Sequence, residues 1–547
     1  MTRSPWIIYP AAGITILLLG FALAVPYLNH FPSHIHAWAQ ADWYSIAIGF
    51  TQNGHDLFHP ETLIFNKQYP SYWFQDDGSV VTSVDFPLHE FVVSILMGLF
   101  GTTEPWVFRL WTLLWSLAGM WFLFLLSWRI TGRAWPALLP VLVAITSPVY
   151  AYYFNGFQPS ALAISFATAG LWAYVVHWQE RRKGFWQVSV ALLALAALVR
   201  TSFAVPLVAV CGFEALRLLL EEIKKTGHRH LLRSALQWLA PVALAVCAIL
   251  GYMLWNKHLR ETNGSLFLNE LRPPRSWEDV QGVRRLVHER WHYHYFSRPQ
   301  LWLMLVVAAV GFLRSLVLRR KPSPLSGLLA LYLFGEGLFF VAMMLQYADH
   351  DYYFLDSFFL PLLLCFIWSL RGWPSAEEVL AKQRWRLPAK AMHGALTAVM
   401  VLLGIFFYNA AKHNLSERYG DKNDRALLCM LNFEGSAQWL DQCGVPRNAK
   451  VLTPFAYPQN SPFILMQRKG YALMWPEASH VDAAFRLPFD YVVIEDDMLR
   501  AHYADFPALG RLRRIAGNGR LSLCLYGDTA VTHDASQFFL PQPLGGK

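Results

Sequence analysis

The sequence predicts a polytopic membrane all-α fold followed by a small α/β domain, and three observations carry that reading. Charged residues make up only 15% of the 547 and apolar ones 55%, whereas a soluble chain carries about a quarter charged. Apolar runs recur along the first three quarters of the chain, and basic residues gather in the short loops between them. Beyond about residue 411 the composition turns to that of a soluble domain. The net charge of +9 would suit nucleic acid if it formed a face. Parcelled into short loops it is the positive-inside signature, so the expected partners are membrane lipids and no nucleic acid. The abundance of Trp and Phe, 23 and 38 residues, fits rings placed at and within a bilayer.

The first run, about Ile7 to Leu28 behind Arg3, exceeds the h-region of a signal peptide and reads as a retained first helix. FVVSILMGLF at 91–100 is apolar but short of the roughly 20 residues a span needs. Read as an interfacial helix, it leaves about eleven spans, the N-terminus inside and the C-terminal domain outside. Arg129 and Arg133, then Arg181, Arg182 and Lys183, then Lys224, Lys225, Arg229 and Arg233 then fall on the cytoplasmic side. So do Arg319, Arg320 and Lys321, and Lys382, Arg384, Arg386 and Lys390. The opposite loops at 29–105, 152–159 and 345–353 hold Lys67 alone. The expected location is thus a bacterial inner membrane, crossed many times. The transmembrane domain is 1–411, with 29–105 as its first periplasmic loop, and 412–547 forms a periplasmic α/β domain.

The outer segment at about 256–298 breaks the charge rule with Arg260, Arg272, Arg275, Arg284, Arg285, Arg290 and Arg298. Two readings stay open: an anionic ligand at the outer leaflet, or pairing with Glu261, Glu270, Glu278, Asp279 and Glu289. In the C-terminal domain, AKVLTP at 449–454, FDYVVIED at 489–496 and RLSLCLY at 520–526 read as buried strands. QWLDQCGV reads as a helix stopped by Gly444. Its three cysteines, Cys429, Cys443 and Cys524, predict one disulfide in an oxidising compartment. The six Cys form no CxxC or Cys/His cluster, so no structural zinc site is expected.

The first outer segment begins HIHAWAQADWYSIAIGF, with Asp42 among His36, Trp38, Gln40 and Trp43. A carboxylate held among aromatics at a membrane face is partly desolvated, which raises its pKa toward the range of a general base. The plainer reading is an N-cap or a solvated loop residue. Glu336, mid-span in LYLFGEGLFF, marks either an intramembrane functional acid or a protonated carboxyl bonded to a neighbouring helix.

AQADW after the first helix, GFTQNGHDLFHPET, DFPLHEF at 85–91, WVFRL at the next span, LAALVRTSF at 195–203 and QYADHDYYFLDSFFLPLLL at 346–364 stand in a telling order. That order, with VPRNAKVLTPFAYPQNSPFILMQRKGY near the C-terminus, resembles the GT-C superfamily of membrane glycosyltransferases, in particular its family-39 and ArnT-like bacterial members. The resemblance implies a GT-C fold with juxtamembrane helices in the first periplasmic loop. It also implies an inverting transfer of a sugar from a polyprenyl-phosphate donor to a hydroxyl acceptor: a lipid-linked glycan, lipid A or protein. The family's base carries onto Asp42, with Asp85 as the second acid or a helix cap. Some relatives have a Lys beside the Pro-Leu motif that contacts the lipid phosphate; this chain has Asp85-Phe86 there, so phosphate contact must come from elsewhere.

Developing charge on a departing phosphate needs preplaced cations and donors. The candidates are Arg200, then His350, Tyr352 and Tyr353, then His294, and Lys67. Snorkelling, an aromatic belt and ordinary solvation are the competing explanations of the same residues. No cofactor is required on this reading. A divalent cation would find hard ligands in His34, His36 and Asp42 or in Asp349, His350 and Asp351, but no metal ligand is assigned. The rival class is a transporter or flippase of lipid-linked saccharides, which Glu336 supports and the lack of a visible internal repeat opposes.

Overall fold

The computed structural model describes residues 5–69, 76, 78–223, 231–268, 270–319, 323–373 and 389–527. Lys224, Lys225, Arg229, Arg320, Lys321, Lys382, Arg384 and Arg386, used in the topology argument, lie outside the described residues. The principal helices in chain order are α1 (Pro5–Ala24), α2 (Ala37–Gln52), α3 (Leu88–Phe100), α4 (Pro105–Thr131) and α5 (Ala134–Ile145). There follow α6 (Ser160–Glu180), α7 (Lys183–Val199), α8 (Ala204–Ile223), α9 (Leu231–Asn263) and α10 (Trp277–Leu286). The last are α11 (Arg298–Val317), α12 (Leu325–Ala342), α13 (Phe359–Arg371), α14 (Ala389–Arg418) and α15 (Arg425–Phe433).

Among the described residues, eight helices are long and apolar enough to cross a bilayer: α1, α4, α6, α8, α9, α11, α12 and α14. The chain is a multi-pass membrane protein. The sequence reading counts α5, α7 and α13 as spans too; they are apolar but have 12, 17 and 13 residues. The 13 residues of α3 reach only about 20 Å at 1.5 Å per residue, short of a hydrocarbon core of about 30 Å.

The chain divides into two compact units. The first comprises Met1–Leu28, Arg109–Tyr252 and Glu270–Glu417. Within it, Arg133, one of the basic residues that argued for topology, and Arg314 complete a helix C-terminus, whose last carbonyls lack intrahelical partners. Arg133 donates to the carbonyls of Leu370 and Trp373 at 2.8 and 3.1 Å, and Arg314 to that of Gly372 at 2.6 Å, all at the end of α13. Arg129 pairs with Glu180 at 2.6 Å.

The second unit comprises Asn29–Phe108, Met253–Asn269 and Arg418–Lys547, so the first long outer segment groups with the C-terminal sheet rather than with the spans. The sheet has five strands in the order β2-β1-β3-β5-β4: β1 (Lys450–Pro454), β2 (Lys469–Leu473), β3 (Tyr491–Glu495), β4 (Leu512–Gly517) and β5 (Leu521–Tyr526). β1 is parallel to β2 and β3, while β5 is antiparallel to β3 and β4. Leu452, Tyr471, Val492, Ile494 and Cys524 pack its core. The free edge of β2 receives the first outer segment: Phe65 N–H donates to the Gly470 carbonyl at 2.9 Å, and Gly470 N–H to that of Leu63 at 3.1 Å. A Cβ at Gly470 would meet the Val451 backbone, so only glycine lets three chains approach there.

Strands β1, β3 and β5 stand where expected; β2 and β4 are additional. β4 alternates buried and exposed residues, with Arg513 outward, and so lacks the apolar run that marks a buried strand. The helix Ser436–Gln442 stops as expected, with Gly444 at φ 75°. The expected disulfide is not formed: Cys429, Cys443 and Cys524 are all free. Cys524 lies in β5 within the sheet core and Cys429 is buried in α15, while Cys443 lies past the end of helix Ser436–Gln442.

Candidate active site

α2 is buried continuously from Gln40 to Phe50. Its Gly49 faces the Glu61 backbone so closely that no side chain would fit, and Trp43 stacks on Phe267 with ring centres 4.4 Å apart. Asp42 lies inside this helix, 2% exposed, and is therefore neither a cap nor a solvated loop residue. Two side-chain amides hold its carboxylate. Asn460 Nδ2 donates to Oδ1 at 2.7 Å, and Gln459 Nε2 to the two oxygens at 3.1 and 3.3 Å. Trp38 is a third donor. The clamp is itself anchored, because Thr62 Oγ1 donates to Asn460 Oδ1 at 3.0 Å and lies 3.2 Å from Ser45 Oγ. Burial pushes the Asp42 carboxyl up to about 7, against the opposing pull of Asn460, Gln459 and Trp38. Neutral donors stabilise the anion without neutralising it, which suits a base working near neutral pH.

The other candidates of this unit have different surroundings. Asp85 is half-buried at the turn entering α3. Glu90, one turn into that helix, is fully buried, with no hydrogen-bond partner for either carboxyl oxygen among the described residues. Burial, and then the charge of Asp85, push Glu90 up to about 8. Lys67 is 5% exposed and its ammonium donates to the Ser79 carbonyl at 2.6 Å, so it braces the loop rather than reaching into solvent.

In the membrane unit the aromatic and cationic candidates form a cluster. Arg200 follows the end of α7 in an extended conformation. Its Nε donates to Asp356 Oδ2 at 2.7 Å, its terminal nitrogen lies 2.7 Å from the same oxygen, and its guanidinium sits 5.8 Å from the Tyr352 ring centre. Tyr352 stacks with Tyr353 at 5.2 Å, and His350 lies against both rings at 5.3 and 5.9 Å. Asp351 is buried and accepts the Tyr153 hydroxyl at 2.8 Å. His294 is half-buried against Trp291, and its neighbour Tyr295 stacks on Phe354 at 4.2 Å. The His/Asp trios do not gather: Asp349 pairs with Arg290, His34 bonds Ser33 and the Asp421 carbonyl, and no three such ligands meet among the described residues.

Sequence reasoning missed Gln459, Asn460, Glu90 and Asp356. All four stood inside quoted segments, DFPLHEF, FLDSFF and YPQN, but an amide or carboxylate side chain carries no local sign of what it will touch.

Residues 85–255 match the family model described as dolichyl-phosphate-mannose-protein mannosyltransferase. No curated protein sequence matches the chain. Among solved structures, ArnT from Cupriavidus metallidurans bound to undecaprenyl phosphate has a TM-score of 0.56 at 12% identity, over 97% of this chain and 100% of that one. The oligosaccharyltransferase AglB from Archaeoglobus fulgidus, in complex with an inhibitory peptide and a dolichol-phosphate, has a TM-score of 0.52 at 11% identity, over 92% of this chain and 71% of AglB. Arabinofuranosyltransferase AftD from Mycobacteria has a TM-score of 0.50 at 15% identity, over 97% of this chain and 42% of AftD. At such identities the likeness speaks to the fold, and the family match lies on the segment from the DFPLHEF motif into α9. Taken together, the chain has the fold of these membrane glycosyltransferases over nearly its full length, and its segment 85–255 is similar to the mannosyltransferase family.

Proposed function

We propose that the protein transfers a sugar from a polyprenyl-phosphate donor to a hydroxyl acceptor, with inversion, at the periplasmic face of a bacterial inner membrane. In this reading the C-terminal sheet stands on the periplasmic side. The observation that carries the proposal is the buried Asp42 carboxylate, clamped by two neutral amides and pushed up to about 7. Asp42 takes the proton of the acceptor hydroxyl as its oxygen attacks the anomeric carbon. The bond from that carbon to the phosphate oxygen breaks, and polyprenyl phosphate leaves as the anion. Arg200, with His350, Tyr352 and Tyr353, supplies cation and donors for that phosphate. For Arg200 this requires sharing its guanidinium with Asp356.

The acceptor is a lipid-linked saccharide, lipid A or a protein hydroxyl. The reaction needs no cofactor on this reading, and chelation of divalent ions should leave the rate unchanged. The bound lipid phosphates of ArnT and AglB favour this donor class. The transport reading had Glu336 as its support, and that residue is a buried side chain of α12 in a chain whose matches are transferases. The test is a transfer assay on purified full-length protein with Asp42→Asn, folding checked by gel filtration and thermal unfolding. Turnover close to that of the unchanged protein would remove Asp42 from the mechanism.

A further inference from the structure

The basic outer segment left two readings open, and in the membrane unit its ion pairs can be followed one by one. Arg290 pairs with Asp349 at 3.4 Å and Arg272 touches Glu270 at 4.0 Å. Asp279 is occupied as the reciprocal partner in the capping box of α10, bonded to the Ser276 and Arg275 backbone N–H groups. Arg284 and Arg285, in the last turn of α10, are exposed, and no carboxylate among the described residues lies within ion-pair distance of either. The favourable end of the helix dipole explains part of their placement. It does not explain the hollow of about 680 Å³ that they line with Glu278, Gln281, Gly282 and His288.

Packing places this face. The opposite side of α10 is apolar: Val283 is buried, and Val280, Leu286 and Val287 pack against Met343, Met344, Tyr347 and Ala348, just past the end of α12. Backbone bonds fix the same junction, from Arg272 N–H to the Ala342 carbonyl at 2.9 Å and from Leu345 N–H to the Arg272 carbonyl at 3.1 Å. α12 is one of the eight helices long and apolar enough to span. A helix packed against the end of a candidate span is within reach of the lipid headgroup layer. Leu271, ahead of α10, and Trp277, its first residue, are 70% and 71% exposed, a wasteful arrangement in water and a favourable one at a bilayer interface.

We infer that α10 and its flanks form a docking surface for an anionic phospholipid. Arg284, Arg285 and His288 receive the phosphodiester, Glu278 and Gln281 accept from and donate to headgroup hydroxyls, and Leu271 and Trp277 enter the acyl region. Charge complementarity favours this occupant, since an exposed arginine pair with no carboxylate partner among the described residues attracts an anionic headgroup. The surface is independent of the transfer chemistry and of Asp42.

The test uses full-length protein purified from mixed phosphatidylcholine and phosphatidylglycerol, with retained lipid counted by native mass spectrometry. Phosphatidylglycerol should be retained in preference to phosphatidylcholine. Arg284→Gln with Arg285→Gln should reduce that preference at least about fivefold, while Arg284→Lys with Arg285→Lys should keep most of it. Equal retention in the glutamine variant, at an unchanged unfolding temperature, would overturn the proposal. So would displacement of the lipid by inorganic phosphate or a soluble phosphosugar at matched concentration, which would mark a site for phosphate alone. If the glutamine variant unfolds early, Trp277→Ala serves instead, and unchanged retention there, with the apolar contact removed, counts equally against a lipid surface.

Discussion

Asp42 and Arg200 are charged groups of opposite sign in separate units, and their surroundings differ in kind. Asp42 is held by Asn460 and Gln459, which are neutral. Arg200 is held by Asp356, which carries a compensating charge. Neutral donors fix the geometry of a carboxylate and leave its proton affinity high, because burial is the larger influence. An ion pair does the opposite and stores a cation in a neutralised form until another anion competes for it. In the proposed transfer, one group reacts and the other binds.

The largest effect that could break this contrast is on turnover. Asp42→Asn keeps shape and hydrogen-bonding capacity but cannot accept a proton, and turnover should fall by about 10²–10⁴ with the donor's apparent Michaelis constant little changed. Arg200→Ala should differ in kind, lowering kcat/KM by about tenfold to a hundredfold, the scale of a charge-assisted hydrogen bond, chiefly through a raised Michaelis constant for the donor. If both variants lose turnover alone, the division into reacting and binding groups is wrong.

Asn460→Ala sharpens the comparison further. With one of the donors that favour the anion removed, the Asp42 carboxyl moves higher still, so activity at neutral pH should drop on the order of tenfold and recover in more alkaline buffer. A flat loss across the pH–rate profile would make Asn460 merely structural. The smallest effect concerns stability. Asp42 keeps its proton in the folded chain up to about 7, whereas the unfolded chain releases it in the ordinary carboxylate range. The folded state therefore binds more protons in that window, and the contribution of Asp42 to stability falls as pH rises through it. Thermal unfolding between pH 4 and pH 7 should show a shallower decline in Asp42→Asn than in the unchanged protein.

Much of the architecture was readable because it rests on local composition. The spans announce themselves by length, and β1, β3 and β5 by short apolar runs. Asp42 was readable because a carboxylate among Trp38, Gln40 and Trp43 is conspicuous. Its partners were not, since Gln459 and Asn460 come to it from more than 400 positions away and nothing local distinguishes them from turn residues. Lys67 was misleading for the reverse reason: a lone lysine in a loop looks solvated, yet the fold buries it against Ser79. β4 was missed because Arg513 and Arg514, adjacent and on opposite faces, interrupt any apolar run, and the disulfide failed because the three cysteines serve separate packing roles.

The seam between residues 63–65 and Gly470 has a consequence for how the protein is made. The edge of β2 is closed by backbone bonds to a segment synthesised about four hundred residues earlier. Until the last fifth of the chain has emerged, Leu63 and Phe65 have no strand to join, Thr62 has no Asn460, and Asp42 has no clamp. Contacts of such long sequence separation form late, because loop closure must precede them. Shortened products of synthesis would therefore lack the clamp on Asp42, and on the proposed mechanism a cell interrupted before β2 is complete would hold inserted protein that is chemically silent.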